Sequence, residues 1–327
     1  GRLSSMDAVL GLDTSCYTTS AAAVDAQGKV IAFSRLLLPV EAGQRGLRPS
    51  EAVFAHVRQL PQVVESLMAE LPPEARFCAV CASKPRDEAD SYMPVFQTGC
   101  GYGRGIAATL RVPFFETSHQ QGHIAAGRIG LPPLDERFLA LHLSGGTTEL
   151  LLCEKGKLRL VGGSMDLHAG QMVDRVGVRL GLRFPAGPEL EKLAMSCTEP
   201  TEALLPASLE KDACYCHLSG AETKAAQLWE KQACSPERIA AETFDLLART
   251  VSRMLAAGCK RYQVRQALVV GGVASSKLLR ELLRQRLSKL RCPVEVFFGD
   301  PRYSADNAAG VAELGLEQYR QWKEKNA

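Results

Sequence analysis

No apolar run in this chain reaches the length of a membrane-spanning helix, so no helical anchor in lipid is expected. No secretory signal is visible either, and Gly1 to Ser5, ahead of Met6, read as an expression remnant. Neither sign of charge dominates: the net charge is +3, which permits a nucleic-acid partner without demanding one. A disordered composition is absent too, with 46% hydrophobic and 23% charged residues. The 11 cysteines form no compact framework. Scattered through a long chain, they read as reduced thiols of a cytoplasmic protein. Cys78-Ala-Val-Cys81 has no second CxxC to answer it and lies in an apolar, strand-like run, so buried core thiols are expected there. Histidine is scarce, with 6 in the chain, and no HExxH pairs a catalytic glutamate with two of them.

What is present is a pattern used twice. Apolar strands are expected at residues 9–15, 18–24 and 30–34, joined by polar turns. The same score of strand, turn, strand, Gly-Lys turn, strand restarts at 138–143, 148–153 and 158–161. A repeat of this length points to duplicated α/β domains facing each other across a cleft, which 327 residues can supply. The first domain, residues 6–134, adds a helix capped by Ser50 that Pro61 kinks, a strand at 77–82, a glycine-rich helix and a strand at 114–117. The second, residues 135–327, adds helices at about 171–181, 187–196, 219–231, 235–260 and 275–288, strands at 267–270 and 294–298, and a last helix from near Ser304.

Ser118 is a good N-cap, and the helix that it opens puts His119 and His123 four apart on one face. Two imidazoles at that spacing can share a metal ion, although a pair of surface histidines gives the same pattern. Asp306, in Tyr303-Ser-Ala-Asp-Asn-Ala-Ala-Gly310, is either a third ligand or, like Ser304, a helix cap. Two glycine turns suit an anion: Leu143-Ser-Gly-Gly-Thr-Thr148, and Val269-Val-Gly-Gly-Val-Ala-Ser-Ser276, where a strand runs into a helix N-terminus. Asp13, ending the first strand, fits a cation or phosphate contact, or equally an Asx residue in a hairpin turn. Arg175, Arg179, Arg183, Arg280, Arg284, Arg286 and Lys289 could meet a phosphate backbone, or form solvated helix faces.

Several ordered blocks resemble the TsaD family of tRNA threonylcarbamoyladenosine synthases, formerly called glycoproteases. Leu10-Gly-Leu-Asp-Thr-Ser-Cys16 resembles LGIETSC; Pro49 and His56 match PELASRxH; His119 and His123 match HxxxH; Ser144-Gly-Gly-Thr-Thr148 resembles SGGHT. Asp166, Gly170 and Asp174 resemble DDAAGEAFDK, Pro185-Ala-Gly-Pro-Glu-Leu-Glu-Lys192 resembles PGGPxxEK, and Ser219-Gly220 with Thr223 resembles FSGLKT. Gly271-Gly-Val-Ala274 and Asp306-Asn307 resemble GGVAAN and TDN. The chain departs from the motifs at Thr147, Leu167, Glu222 and Ser276, which replace a histidine, an aspartate, a lysine and an asparagine, and no GPGL block is recognisable in 84–98.

The resemblance implies the actin/Hsp70/sugar-kinase (ASKHA) ATPase fold, two RNase H-like lobes around a nucleotide cleft. It implies a divalent metal, Fe²⁺ or Zn²⁺ with Mg²⁺ as a further candidate, on His119, His123 and Asp306. It also implies an adenine nucleotide (threonylcarbamoyl-adenylate, ATP or AMP) held by His142, Leu143, Ser144, Gly145, Gly146, Asp174, Gly187, Gly271, Gly272 and Ser276. The activity implied is threonylcarbamoyl transfer to an adenosine beside the tRNA anticodon, assisted by a TsaB-like paralogue and a TsaE-like ATPase. No residue stands out as a general base. A non-catalytic or altered-substrate nucleotide-binding paralogue, an ASKHA-type phosphotransferase and a metallopeptidase are the alternatives.

Overall fold

The computed structural model describes residues 3–15, 17–39, 47–85, 94–291, 293–304 and 308–327. It divides into two units, residues 1–129 with 305–327, and residues 130–304.

The first unit is built on a five-stranded sheet. Its strands are β1 (Asp7–Thr14), β2 (Thr18–Asp25), β3 (Val30–Leu37), β4 (Arg76–Lys84) and β5 (Phe114–Ser118), in the order β3-β2-β1-β4-β5. β1 runs antiparallel to β2 and parallel to β4, so it lies at the centre. Its residues from Ala8 to Thr14 are all buried, the near-continuous apolar run of a strand covered on both faces. Helices α1 (Pro49–Glu70) and α2 (Pro94–Leu110) pack Leu60, Val63, Leu67 and Ala107 against Leu10, Leu12 and Val80. On α2, Gly103 gives room to Phe114 and Leu12, while Gly101 and Gly105 face open space.

The start of α1 differs from expectation. Pro49, not a residue after Ser50, opens the helix; its missing N–H is no loss in the first turn. The preceding Arg48 N–H is taken by Glu51 Oε2 at 3.2 Å. The helix is continuous past Pro61.

In the second unit the sheet order is β12-β11-β6-β7-β8-β10-β9. The strands are β6 (Arg137–Leu143), β7 (Thr148–Glu154), β8 (Lys157–Ser164), β9 (Ser208–Leu209), β10 (Tyr215–His217), β11 (Gln266–Val270) and β12 (Glu295–Phe298). Reading β8-β7-β6-β11-β12 reproduces β3-β2-β1-β4-β5, with the same antiparallel and parallel pairings around the central strand. The repeated score is therefore a repeated sheet. Among the described residues, five α-helices complete the unit: α4 (Ala169–Arg179), α5 (Gly187–Met195), α6 (Ser219–Glu230), α7 (Pro236–Tyr262) and α8 (Lys277–Ser288). α7 carries much of the core, burying Phe244, Leu247, Val251, Met254 and Leu255.

The division at 134/135 needs a correction. The last helix, α9 (Ala308–Lys325), belongs with the first unit. Its Gly315 fits against Val9 and Cys81, and its first turn against Gly11, where a Cβ would meet Ala308 O and Ala312 N at 2.5 Å. Cys78 and Cys81 both lie on β4, and no described cysteine forms a disulfide. Burial pushes the Cys78 thiol up to about 11 and raises Cys81 further, which fits core thiols and not zinc ligands. No helix among the described residues is long and apolar enough to cross a membrane.

Candidate functional site

α3 (His119–Arg128) begins where expected. Ser118 Oγ accepts the Gln121 N–H at 3.0 Å, and Gln121 Oε1 accepts the Ser118 N–H at 3.5 Å, a reciprocal capping box. One helical turn then brings His119 and His123 edge to face, with ring centroids 4.7 Å apart. Phe96 lies edge-on to His119 with centroids 5.5 Å apart.

Beneath this pair is Asp13, wholly buried at the end of β1. Its Oδ1 accepts from Ser83 Oγ at 2.5 Å and lies 2.9 Å from His119 Nδ1. Its Oδ2 is buried with no hydrogen-bond partner among the described residues. The parallel pairing of β1 with β4 sets Leu12 beside Ala82 and so delivers Ser83 to the carboxylate. Thr14, one residue on, donates to Val95 O at 2.7 Å and accepts from Gly99 N at 3.1 Å, tying this strand end to α2. A Cβ at Gly99 would stand 2.7 Å from Thr14 Oγ1, so the glycine permits the approach. The contact of Asp13 with a histidine 106 residues away is invisible in the sequence.

Asp306 lies outside the described residues. The Ser304 hydroxyl donates to Pro301 O at 2.9 Å and accepts from Ser275 Oγ at 2.8 Å. The described part of α9 opens at Ala308, and its first turn packs on both β1 and α3. On one side Ala308 O meets Gly11, two residues before Asp13. On the other, Gly310 rests on Gly122 O and Ala126 N of α3, so closely that a Cβ would fall on Gly122 O. Among the described residues no three ligating side chains gather into a metal site. The donor set nonetheless fits a borderline metal: two imidazoles on one turn, one of them with Nδ1 committed to a buried carboxylate and Nε2 on the opposite side of its ring.

The second unit gathers most of the residues expected at the nucleotide. In the turn after β6, Ser144 N donates to Thr147 O at 2.9 Å, and Gly145 and Gly146 have nothing within 4 Å of where a Cβ would stand. α4 packs against this turn: Gly170 N donates to Ser144 O at 3.1 Å, and a Cβ on Gly170 would lie 2.5 Å from Gly145 N. Thr148 Oγ1 accepts the Ala169 N–H at 2.8 Å. The other glycine turn abuts the same place, because His142 is paired with Val270. Gly271 has φ +106° and would press a Cβ onto Leu143 O and to 2.9 Å from His142 Cδ2, whereas Gly272 opens onto empty space. Asp174 Oδ1 accepts the Ala186 N–H at 2.8 Å, which sets it beside Gly187. Burial raises the Asp174 pKa, against the pull of that bond. Ser276 Oγ accepts the Leu279 N–H at 3.1 Å as the cap of α8. Leu278 N donates to Glu191 Oε1 at 3.1 Å, bringing the starts of α5 and α8 together.

Two residues of the sequence blocks prove to be braces. His56 is wholly buried, with Nε2 2.7 Å from Ser15 O and Nδ1 2.7 Å from Thr19 Oγ1. Asp166 accepts from Leu218 N at 2.8 Å and Ser219 Oγ at 2.5 Å, fixing the start of α6. Desolvation opposes its ionisation, but these bonds prevail and hold its carboxyl down at about 2. Glu222, in the place of a lysine, lies 3.9 Å from Arg179. Of the basic residues, Arg179 also pairs with Glu230, Arg286 pairs with Asp245, Arg280 donates to Ala274 O and Gly299 O, and Arg284 covers the Phe298 ring. Arg175, Arg183 and Lys289 remain exposed.

Solved structures share the fold at low identity. HypF of T. kodakarensis matches with TM-score 0.62 at 13% identity, over 98% of this chain and 48% of that one. Component A of the Acidaminococcus fermentans (R)-2-hydroxyglutaryl-CoA dehydratase gives 0.57 at 15%, over 96% and 99%. A ROK family glucokinase from Streptomyces griseus gives 0.54 at 15%, over 96% and 99%. The architecture is thus that of the ASKHA proteins. Relatives in sequence are more specific. A tRNA N6-adenosine threonylcarbamoyltransferase of Prochlorococcus marinus (strain MIT 9313) is 34% identical over 96% of this chain and 91% of its own length. One from Thermus thermophilus is 33% identical over 93% and 90%. The family model for TsaD, tRNA N6-adenosine threonylcarbamoyltransferase, matches residues 36–313. With that match and a relative one-third identical along nearly its whole length, the chain belongs to the TsaD family, acyltransferases that modify tRNA.

Proposed function

We propose that this protein transfers a threonylcarbamoyl group from threonylcarbamoyl-adenylate to the exocyclic amine of an adenosine beside the anticodon of tRNA. The amine nitrogen bonds to the carbamoyl carbon, the bond from that carbon to the adenylate phosphate oxygen breaks, AMP departs, and the amine gives up a proton. The observation that carries this reading is the histidine pair of α3, retained with its buried carboxylate in a chain that also keeps an open glycine cradle. Gly145, Gly146 and Gly272 let an anion come within reach of backbone N–H groups. His119 and His123, with Asp306, would hold the metal, and their nitrogen donors suit Zn²⁺ or Fe²⁺ better than Mg²⁺. A metal there supplies charge to neutralise oxygens that become more negative during acyl transfer. Fixing the adenylate and the amine in one geometry accounts for much of the rate. A TsaB-like paralogue and a TsaE-like ATPase are the partners proposed.

A second reading, an altered-substrate or non-catalytic paralogue, is favoured by Thr147 and by Ser276, whose oxygen is already engaged as a helix cap. Incubating the protein with ATP, threonine, bicarbonate, an adenylate-forming enzyme and tRNA, with and without the partners, separates the two. Digestion of the tRNA to nucleosides is expected to release N6-threonylcarbamoyladenosine. Unmodified adenosine in every combination would leave the second reading standing.

A further inference from the structure

We propose that Asp13 is a positioning residue: it locks His119 in the tautomer protonated at Nδ1 and thereby makes Nε2 the metal-binding nitrogen. The proposal rests on the metal reading given above only in its last clause. Two hydrogen bonds converge on one oxygen of this carboxylate, from Ser83 Oγ at 2.5 Å and His119 Nδ1 at 2.9 Å. Ser83 orients the carboxylate, and the carboxylate orients the ring. An ionised carboxylate only accepts, so the shared proton sits on Nδ1. A histidine in water prefers no such arrangement unaided, and a metal-binding imidazole gains both orientation and basicity from a carboxylate behind it.

The other oxygen of Asp13 supplies an independent observation. It is buried, has no partner among the described residues, and belongs to a side chain with no exposed surface. A carboxylate oxygen left unsatisfied in the interior is costly unless a donor or positive charge lies near. A cation bound by the adjacent histidines would provide it. His119 is the histidine that Asp13 braces.

Three variants and two readouts test this. Histidine ¹⁵N chemical shifts of the metal-free protein report the tautomer directly. His119 is expected as the Nδ1–H form in the wild type, and as a mixture or the Nε2–H form in Asp13→Ala. Zn²⁺ titration is expected to show 10- to 100-fold weaker affinity in Asp13→Ala, the range for loss of such a partner. Ser83→Ala, which removes only the orienting hydroxyl, is expected to show a smaller loss in the same direction. His123→Ala serves as the control for the metal itself. If it loses Zn²⁺ while Asp13→Ala binds as tightly as wild type, the positioning role is overturned and the metal site stands. If His123→Ala binds as wild type does, the metal reading fails, and the shifts alone decide the tautomer lock. A wild-type His119 protonated at Nε2 overturns it. Circular dichroism of each variant identifies any that fails to fold, and Ser83→Ala with the wild-type shifts then carries the decision.

Discussion

His56 sits with no exposed surface between Ser15 O and Thr19 Oγ1, so both ring nitrogens are committed to holding the β1–β2 connection. Burial lowers its pKa below the ordinary 6.5, against the opposing pulls of the Ser15 carbonyl and the Asp13 carboxylate. A histidine with a depressed folded pKa contributes stability that is present above its unfolded value and is lost as pH falls through that value towards the folded one. The melting temperature is therefore expected to drop on acidification from about pH 7 to about pH 5. His56→Gln is expected to melt lower near neutral pH, by roughly 2 kcal/mol for a lost buried hydrogen bond, and to show a shallower fall with acid. Parallel slopes in the two proteins would show that His56 does not titrate in this way. At the same scale, Thr147→His with Ser276→Asn restores an imidazole and an amide to the glycine turns. An added hydrogen bond to a charged group is worth roughly 1.5–3 kcal/mol, so AMP affinity by calorimetry is expected to rise about 10-fold or more. Unchanged or weaker affinity would mean a pocket rebuilt around another ligand.

Elements converge on the histidine pair through glycines. Gly310 lets α9 lie on the backbone of α3 at Gly122, next to His123. Gly310→Ala would drive a methyl group into that carbonyl, and neither backbone can yield without parting the helices. The expected cost is about 3 kcal/mol or more, with metal lost in step, read by denaturant melting and metal analysis. A stability change under about 0.5 kcal/mol would contradict the packing. The glycine turns give a contrasting pair. Gly271 has φ +106° and no room, so Gly271→Ala is expected to destabilise the fold; Gly272 is open, so Gly272→Val is expected to fold normally and lose AMP binding. Equal melting temperatures for the two would argue against these roles. Much of this is legible in the sequence: Ser118 as a cap, the two glycine turns and the strand repeat all rest on local residue patterns. The parts that are not depend on distant partners. β9 and β10 span only two and three residues, too short for any periodicity. The start of α1 departs from expectation because Ser50 and Pro49 compete as signals, and proline takes the first turn.

Across the whole molecule, one sheet plan used twice gives each unit a central buried strand that ends at candidate site residues: Asp13 at the end of β1, and His142 at the end of β6 with the Ser144 turn following. Duplication is readable from the strand, turn, strand score, but the return of α9 to the first unit is not, since nothing local marks where a last helix packs. The family match and the two site clusters meet in a single claim, acyl transfer from an adenylate to tRNA. The measurement that tests it most directly is a single turnover with threonylcarbamoyl-adenylate labelled in its threonine and an unmodified tRNA, in the presence of Zn²⁺ or Fe²⁺ and the partner proteins. The account expects the label to enter tRNA as N6-threonylcarbamoyladenosine with the wild-type protein and to fall at least ~100-fold with His123→Ala, the scale for loss of an electrostatic transition-state contact. Adenylate consumed or bound with no label in tRNA would contradict it.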